Sequence, residues 1–468
     1  MTDLFEAAKQ KHVAGQLEEA MQLYRQVIEE DPSSFRAYNN VGNVLEELGL
    51  LEEAIESYMK AAQLTDEHDI VHYNLARALH RQGQLIEAVN AYLSALNIEP
   101  GSVETHYNLG CALYDQNRYE SAANAFRRAV EIDPGLTAAY SMLGNALLDL
   151  EDIEGARDAY QQALDTDPRS PAAHFNTAKI HELQGNFDLA AAGYRQSLAL
   201  DSKNATAYAR LAALLHRFSN LEELEEVFEQ WIQALPDDPL AQHSRAAMTG
   251  QDVQERASQD YVRHLFNDFS VDYDAVLQKL AYCGPQVTHA AIIEACGPAA
   301  AELNILDAGC GTGLCGPLVK PHARQLIGVD LSPNMIAKAR CRNVYDKLIE
   351  AELTEYLTEH PGEFDLVMAV DTLNYFGVLK EVFLAVHVGL RSRGSFVFTA
   401  ETMDSAPAAE AGYRLRPHGR YTHTQAYLSE TLDSAGFVVQ GMNKAVLRTE
   451  SGQPVEAYVV RTEKGPRP

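Results

Sequence analysis

Paired cysteines, zinc-ligand spacing, long apolar runs and an even charge balance are all missing from this chain of 468 residues. Its six cysteines are Cys111, Cys283, Cys296, Cys310, Cys315 and Cys341. They form no CxxC pair and no cluster with histidine, which excludes zinc ribbons and thioredoxin-type redox motifs, so no metal is expected. Scattered free thiols point to a reducing compartment. No stretch approaches about eighteen consecutive apolar residues, so no membrane-spanning helix is expected. The N-terminus opens on helical sequence without a basic-then-apolar leader, and the expected location is the cytoplasm. Positive charge is scarce, with 38 Lys and Arg against 66 Asp and Glu, a formal net charge of -28. Residues 1–250 hold 39 acids and 18 bases (net -21), while 251–468 hold 27 and 20 (net -7). An acidic first half repels a phosphate backbone, which argues against nucleic acid and for a basic or neutral polypeptide as its partner.

What the chain does contain is self-similarity. Counted from residue 1, seven 34-residue units fill residues 1–238 without insertion or deletion. Position twenty reads Ala20, Ala54, Ala88, Ala122, Ala156 and Ala190, then Leu224. Position eight is always small, from Ala8 and Gly42 through Ala76, Gly110, Gly144, Ala178 and Ala212. Position twenty-four is always aromatic: Tyr24, Tyr58, Tyr92, Phe126, Tyr160, Tyr194 and Phe228. Small residues let the two helices of a unit approach, and the aromatic is expected to fill the gap between neighbouring units. Pro32, Pro100, Pro134, Pro168 and Pro236 stop the second helix, since proline lacks the donor that would continue it. This pattern resembles the tetratricopeptide repeat (TPR), which implies an all-α superhelix. Residues 239–260 read as a capping helix followed by a linker.

In that family, position six of each unit points into a concave groove. Here it reads Asn40, Asn74, Asn108 and Asn176, interrupted by Met142 and Arg210. Asparagine amides donate and accept, so such a ladder can grip an extended peptide backbone whatever its side chains. The ladder resembles those of peptide-gripping TPR proteins, and a polypeptide is the expected partner. The alternatives are an empty groove, or one filled by a second copy of the chain in a homodimer.

From residue 261 onward the period disappears, and strand and helix patterns alternate as in a doubly wound sheet. Leu303–Ala308 is an apolar strand carrying Asp307, and it runs into Gly309-Cys310-Gly311-Thr312-Gly313, with a helix expected from Leu314. A second strand, Gln325–Val329, ends on Asp330, placed to accept both hydroxyls of a ribose. A nicotinamide-dinucleotide fold competes, because residues 311–316 also read GxGxxG. Asp307 decides against it: a carboxylate beside the loop repels a pyrophosphate but suits an ammonium group.

The string DxGxGxG with Asp330 resembles motifs I and II of class I S-adenosylmethionine (SAM)-dependent methyltransferases. That resemblance implies a Rossmann-like α/β domain over 261–468, with a seven-stranded, mostly parallel sheet. It also implies cofactor contacts at Asp307, Gly309, Cys310, Gly311, Gly313, Asp330, Leu331, Met335, Glu352, Leu353 and Val370. Asp371 and Tyr375 fall at motif IV, beside the transferring methyl. Residues 261–282, Tyr273 above all, look like the N-terminal lid of bacterial TPR-fused methyltransferases, which are similar in turn to the trans-aconitate methyltransferase group. Residues 414–423 lie where this family covers its substrate. There Arg416, His418 and Arg420 are expected to meet the substrate: His418, His423 or Tyr375 could act as base, or Arg416 and Arg420 could clamp an anionic acceptor. Three functions stay open: a protein or peptide methyltransferase, a small-carboxylate or natural-product methyltransferase scaffolded by the repeats, and a non-enzymatic scaffold with a SAM-sensing domain.

Overall fold

The computed structural model describes residues 2–270, 273–403, 411–450 and 452–466. It divides into two compact units, one ending at Leu214 and the other beginning at Leu215. The division falls inside the helix Ala205–Arg217, earlier than the linker expected at 239–260.

In the first unit, twelve helices from Thr2–Val13 to Phe187–Leu200 recur at the 34-residue period before Ala205–Arg217 begins. The small and aromatic positions explain the repeat. A Cβ placed on Gly110 would come within 2.5 Å of the Phe126 ring, and Gly42 faces Tyr58 in the same way. The aromatic therefore lies over the small residue of its own unit, rather than simply filling the space between units. Its hydroxyl reaches further: Tyr58 donates to Asn43 and Glu46, and Tyr24 accepts from Asn40 of the following unit. Gly110→Val is expected to lower the stability of the array by about 1–3 kcal/mol through overpacking. Gly110→Ala should cost less than valine but not nothing: Ala76 and Ala178 occupy the same position fully buried, yet here the Phe126 ring must move off the added Cβ. Thermal unfolding of the two variants checks the pair.

The second unit opens with the helices Leu221–Ala234 and Pro239–Thr249. The latter, expected as a cap for the repeats, ties to Leu221–Ala234 through Arg245 Nε, 2.8 Å from Glu225, and its Ala246 and Ala247 also pack with Leu415 and Tyr421 of the same unit.

The sheet of this unit runs β3-β2-β1-β4-β5-β9-β8. Its strands are β1 Leu303–Ala308, β2 Ala323–Asp330, β3 Lys347–Glu350, β4 Phe364–Ala369, β5 Leu390–Glu401, β8 Phe437–Glu450 and β9 Gln453–Lys464, with a separate hairpin of β6 Tyr413–Leu415 and β7 Tyr421–His423. The strands from β3 to β5 pair in parallel, and β9 is antiparallel to both neighbours. Alternate residues of the central strands enter two cores. Leu306, Val367, Phe396 and Phe398 face one side, while Ile305, Leu366, Met368 and Val397 face the other. Strand order reverses between β1 and β4, and the loops at their carboxyl ends open a crevice there, the usual place for a ligand in such sheets.

Candidate functional site

Glycines shape the floor of that crevice. Gly309, Gly311 and Gly313 all have positive φ, at 75°, 53° and 81°. A Cβ on Gly311 would meet no atom within 4 Å, so this turn is open toward the cavity, whereas Gly309 leaves room for the Thr372 side chain. The amides of Gly309 and Cys310 both donate to the carbonyl of Val329, which locks the turn to β2. The next helix, Gly316–Val319, starts two residues later than expected and is only four residues long.

Two adjoining cavities occupy the crevice. The larger holds about 780 Å³ of empty space and is lined by Arg256, Val262, Phe266, Tyr273, Asp330, Leu331, Glu352, Leu353, Val370, Asp371 and Tyr375, among others. The smaller, about 350 Å³, is bounded by Asp307, Cys310, Thr312, Tyr282 and Cys315. Tyr273, Gly309, Gly311 and Val370 line both, so one extended molecule could run from one into the other.

Acids punctuate this path. Asp330 accepts from the amide of Gly311 at 2.8 Å on one oxygen and of Ser332 at 2.9 Å on the other, the Leu331 amide also favours its ionised form, and acceptor capacity remains for a further donor. Glu352 caps the helix Leu353–Glu359 by accepting from Glu355 N at 2.8 Å, and it pairs with Arg256 at 3.2 Å. Asp307 is buried, accepts from the Tyr345 hydroxyl at 2.7 Å, and has no cation within ion-pair distance among the described residues. Burial pushes its carboxyl up to about 7, only partly opposed by that hydrogen bond.

Asp371 follows β4 in left-handed backbone, φ 57°, an uncommon conformation for a non-glycine residue. Its amide donates to Thr399 Oγ1 at 2.8 Å, and its carboxylate meets Asn374 Nδ2 at 3.1 Å and Arg448 Nη1 at 2.6 Å. Arg448 also binds Glu450 at 2.6 Å and Glu401. Arg420 joins the same cluster, with Nε 2.8 Å from Glu401 and Nη2 2.8 Å from Glu450. Three carboxylates and two guanidinium groups thus form one network beside the cavity. Arg448, Glu401 and Glu450 carry no sequence motif, and the sequence reading missed them.

Residues of the segment expected as a lid are tied to the glycine turn and to the residues after β2. Asp274 accepts from Thr312 Oγ1 at 2.5 Å and pairs with Arg342, while Asn267 accepts from Ser332 Oγ at 2.7 Å. Phe266, from the helix Gln259–Phe269, sets its ring edge-on to Tyr375, with centroids 5.4 Å apart. The segment expected as linker also belongs here. Glu255 O accepts from Gly377 N and Val378 N, and Ala257 N donates to Tyr375 O, which brings Arg256, Ala257 and Gln259 into the cavity wall.

Other expectations meet different surroundings. Met335 is fully buried on the helix Pro333–Cys341, and Gly313 packs under Tyr345; neither lines the two cavities. His423 is fully buried, lines neither cavity, hydrogen-bonds the carbonyl of Gly377 at 3.2 Å and is held down to about 4 by burial. A base needs access to its proton, and this ring has none, so the structure does not support His423 in that role. Arg416 and His418 sit on the turn between β6 and β7, outside both linings. Arg420 is committed to Glu401 and Glu450 and so is no free anion clamp. On the other side of that turn, His243 hydrogen-bonds Gly419 O at 2.9 Å and lies against the ring of Tyr261, centroids 3.9 Å apart.

In the first unit, the four asparagines donate to the preceding unit. Asn74 reaches Asn39 Oδ1 at 3.0 Å, Asn108 reaches the Tyr73 hydroxyl at 3.0 Å, Asn176 reaches Asn145 Oδ1 at 3.4 Å, and Asn40 reaches Tyr24 at 3.3 Å. Their carbonyl oxygens accept no hydrogen bond among the described residues. Asn40 and Asn74 line an open groove of about 1850 Å³ with Phe5, Lys9, Arg36 and Arg77.

Among known families, a methyltransferase-domain model matches residues 305–394. Tetratricopeptide-repeat models match 12–49, 42–83, 76–116, 103–136, 141–205 and 184–239. Malonyl-[acyl-carrier protein] O-methyltransferase of Enterobacter lignolyticus is 30% identical over 139 residues, 30% of this chain and 54% of that protein. Human methyltransferase-like protein 27 is 36% identical over 114 residues, 24% of this chain and 46% of its own. The chain spans about half the length of these curated relatives. A solved TPR repeat-containing protein from Cytophaga hutchinsonii aligns over 51% of this chain and 97% of its own at 13% identity, TM-score 0.44. Among the described residues, no helix is long and apolar enough to cross a membrane.

Proposed function

We propose that this chain, in which tetratricopeptide repeats are joined to a class I methyltransferase domain, transfers the methyl group of SAM to a protein or peptide that the repeats recruit. The observation that carries the cofactor is Asp307. A buried carboxyl that, among the described residues, has a single hydroxyl partner and no counter-charge matches the ammonium of a methionyl group, and no phosphate would settle beside it. The remaining donors and acceptors follow the same molecule. Asp330 offers its remaining acceptor capacity to a ribose, Leu331, Leu353 and Glu352 wall the adenine end, and Tyr273 covers the junction of the two cavities. Bound SAM supplies an electrophilic methyl on a sulfonium. The chain's contribution is to orient the acceptor against it, exclude water with Phe266, Tyr273 and Tyr375, and place Asp371 beside the reacting atoms.

Calorimetry on the full chain tests this directly. SAM should bind, NAD should not, and Asp330→Ala should lower SAM affinity at least about tenfold by removing ribose hydrogen bonds. NAD binding without SAM binding would overturn the assignment. The recruiting role of the array rests on the open asparagine carbonyls. Replacing Asn40 and Asn74 together should lower methylation of a recruited polypeptide while leaving SAM affinity intact.

A further inference from the structure

We infer that the methyl acceptor is the nitrogen of a cationic, lysine-type amine, an inference that rests on the methyltransferase reading above and narrows its substrate. Cations around the cavity are already committed. Arg256 is paired with Glu352, Arg448 with Asp371, Glu401 and Glu450, and Arg420 with Glu401 and Glu450. In the lid, Arg263 pairs with Asp260, and Arg342 with Asp274. Arg414 and Arg416 lie on the β6–β7 hairpin, outside the cavity lining. An anionic acceptor would therefore enter a cavity in which, among the described residues, no guanidinium is free to receive it, beside the carboxylates of Asp330, Glu352 and Asp371.

What the cavity does offer suits a cation. Phe266, Tyr273, Tyr375 and Phe376 line it together, and aromatic faces attract positive charge. Asp371 keeps one oxygen whose protein partner is the neutral amide of Asn374. The chain as a whole is strongly acidic, net -28, which draws in basic polypeptides and repels acidic ones. In the transfer, the nitrogen lone pair forms the new N–C bond, and the C–S bond breaks with its electron pair left on sulfur. The ammonium must first lose a proton, which passes to Asp371 or to water.

The test uses the full chain and two synthetic peptides of one scaffold, one carrying lysines and the other glutamates. Fluorescence anisotropy on protein saturated with S-adenosylhomocysteine should show the lysine peptide binding at least about tenfold tighter, with the difference shrinking as salt is added. With methyl-tritiated SAM, label should enter the lysine peptide in alkali-stable form, and the rate should rise with pH toward the ammonium range near ~10. Equal or reversed binding, label released by alkali as methanol from the glutamate peptide, or label in neither peptide while SAM binds would each overturn the inference. Absence of SAM binding would instead remove the methyltransferase reading beneath it.

Discussion

Replacing Asp307 with asparagine is expected to raise the melting temperature of the methyltransferase unit and to abolish SAM binding at the same time. Both effects come from one buried carboxyl. Among the described residues its one hydrogen-bond partner is the Tyr345 hydroxyl, and burial lifts it from 3.8 to about 7. A group raised in the folded state destabilises the fold wherever it is ionised, here fully above about pH 7. As pH falls through 7 toward 4, the carboxyl protonates in the native state first and the penalty is relieved. At neutral to alkaline pH the penalty is on the order of 4 kcal/mol, so the asparagine variant should melt several degrees higher. The advantage should vanish near pH 4. Binding runs the other way. A cationic ligand requires the ionised form, so SAM affinity of the parent chain should be flat above pH 7 and fall about tenfold per unit below it. The variant should bind at least about a hundredfold more weakly at pH 8, with the gap closing as the parent's own carboxyl protonates below pH 7. Scanning calorimetry and isothermal titration between pH 5 and 8.5 measure both. A variant no more stable than the parent, with unchanged SAM affinity, would mean that Asp307 is a structural acid and no cofactor contact.

The same residue shows why part of the site is legible in sequence. Asp307, Gly309, Gly311 and Asp330 lie on two adjacent parallel strands and the turn between strand and helix, so local chain geometry alone brings them together. The repeats are legible for a related reason: each unit imposes the same contact of a small residue and an aromatic ring, seven times in one register. The unread portion is made by long-range pairing. Glu255 and Ala257 hold Tyr375, Gly377 and Val378 through backbone groups, which no side-chain pattern encodes. A stretch that looked like a linker is therefore cavity wall. His423 shows the converse. A histidine near a substrate-covering loop invites a catalytic role, but here it is buried, and its ring secures the Gly377 carbonyl. The helix Pro239–Thr249 reads from sequence as a cap on the repeats, and its packing on the β6–β7 hairpin, made by long-range pairing, was not legible there.

The cluster around Arg448 has the largest structural consequence of these long-range pairings. Arg448 is 5% exposed and reaches Asp371, Glu401 and Glu450, on three segments that the sheet alone brings together. Arg448→Met keeps much of the side-chain volume but leaves Asp371 and Glu401 without this counter-charge. Removing one partner of a buried ion pair costs about 3–5 kcal/mol, so the methyltransferase unit should lose that much stability at pH 8. Two further measurements separate electrostatics from packing. Orphaned carboxylates have raised pKa values in the native state, so the deficit should be full at alkaline pH and shrink as pH falls and they protonate. Adding Glu401→Gln to Arg448→Met should recover part of the loss at pH 8, because one unpaired charge is gone. Arg448→Lys should rescue poorly, since an ammonium cannot reach three carboxylates in a planar fork. Denaturant unfolding of the four proteins across pH supplies the comparison. A deficit independent of pH and untouched by Glu401→Gln would make Arg448 a packing residue. A pH-dependent deficit together with weakened SAM affinity would show that the network also holds Asp371 in its left-handed conformation beside the cavity.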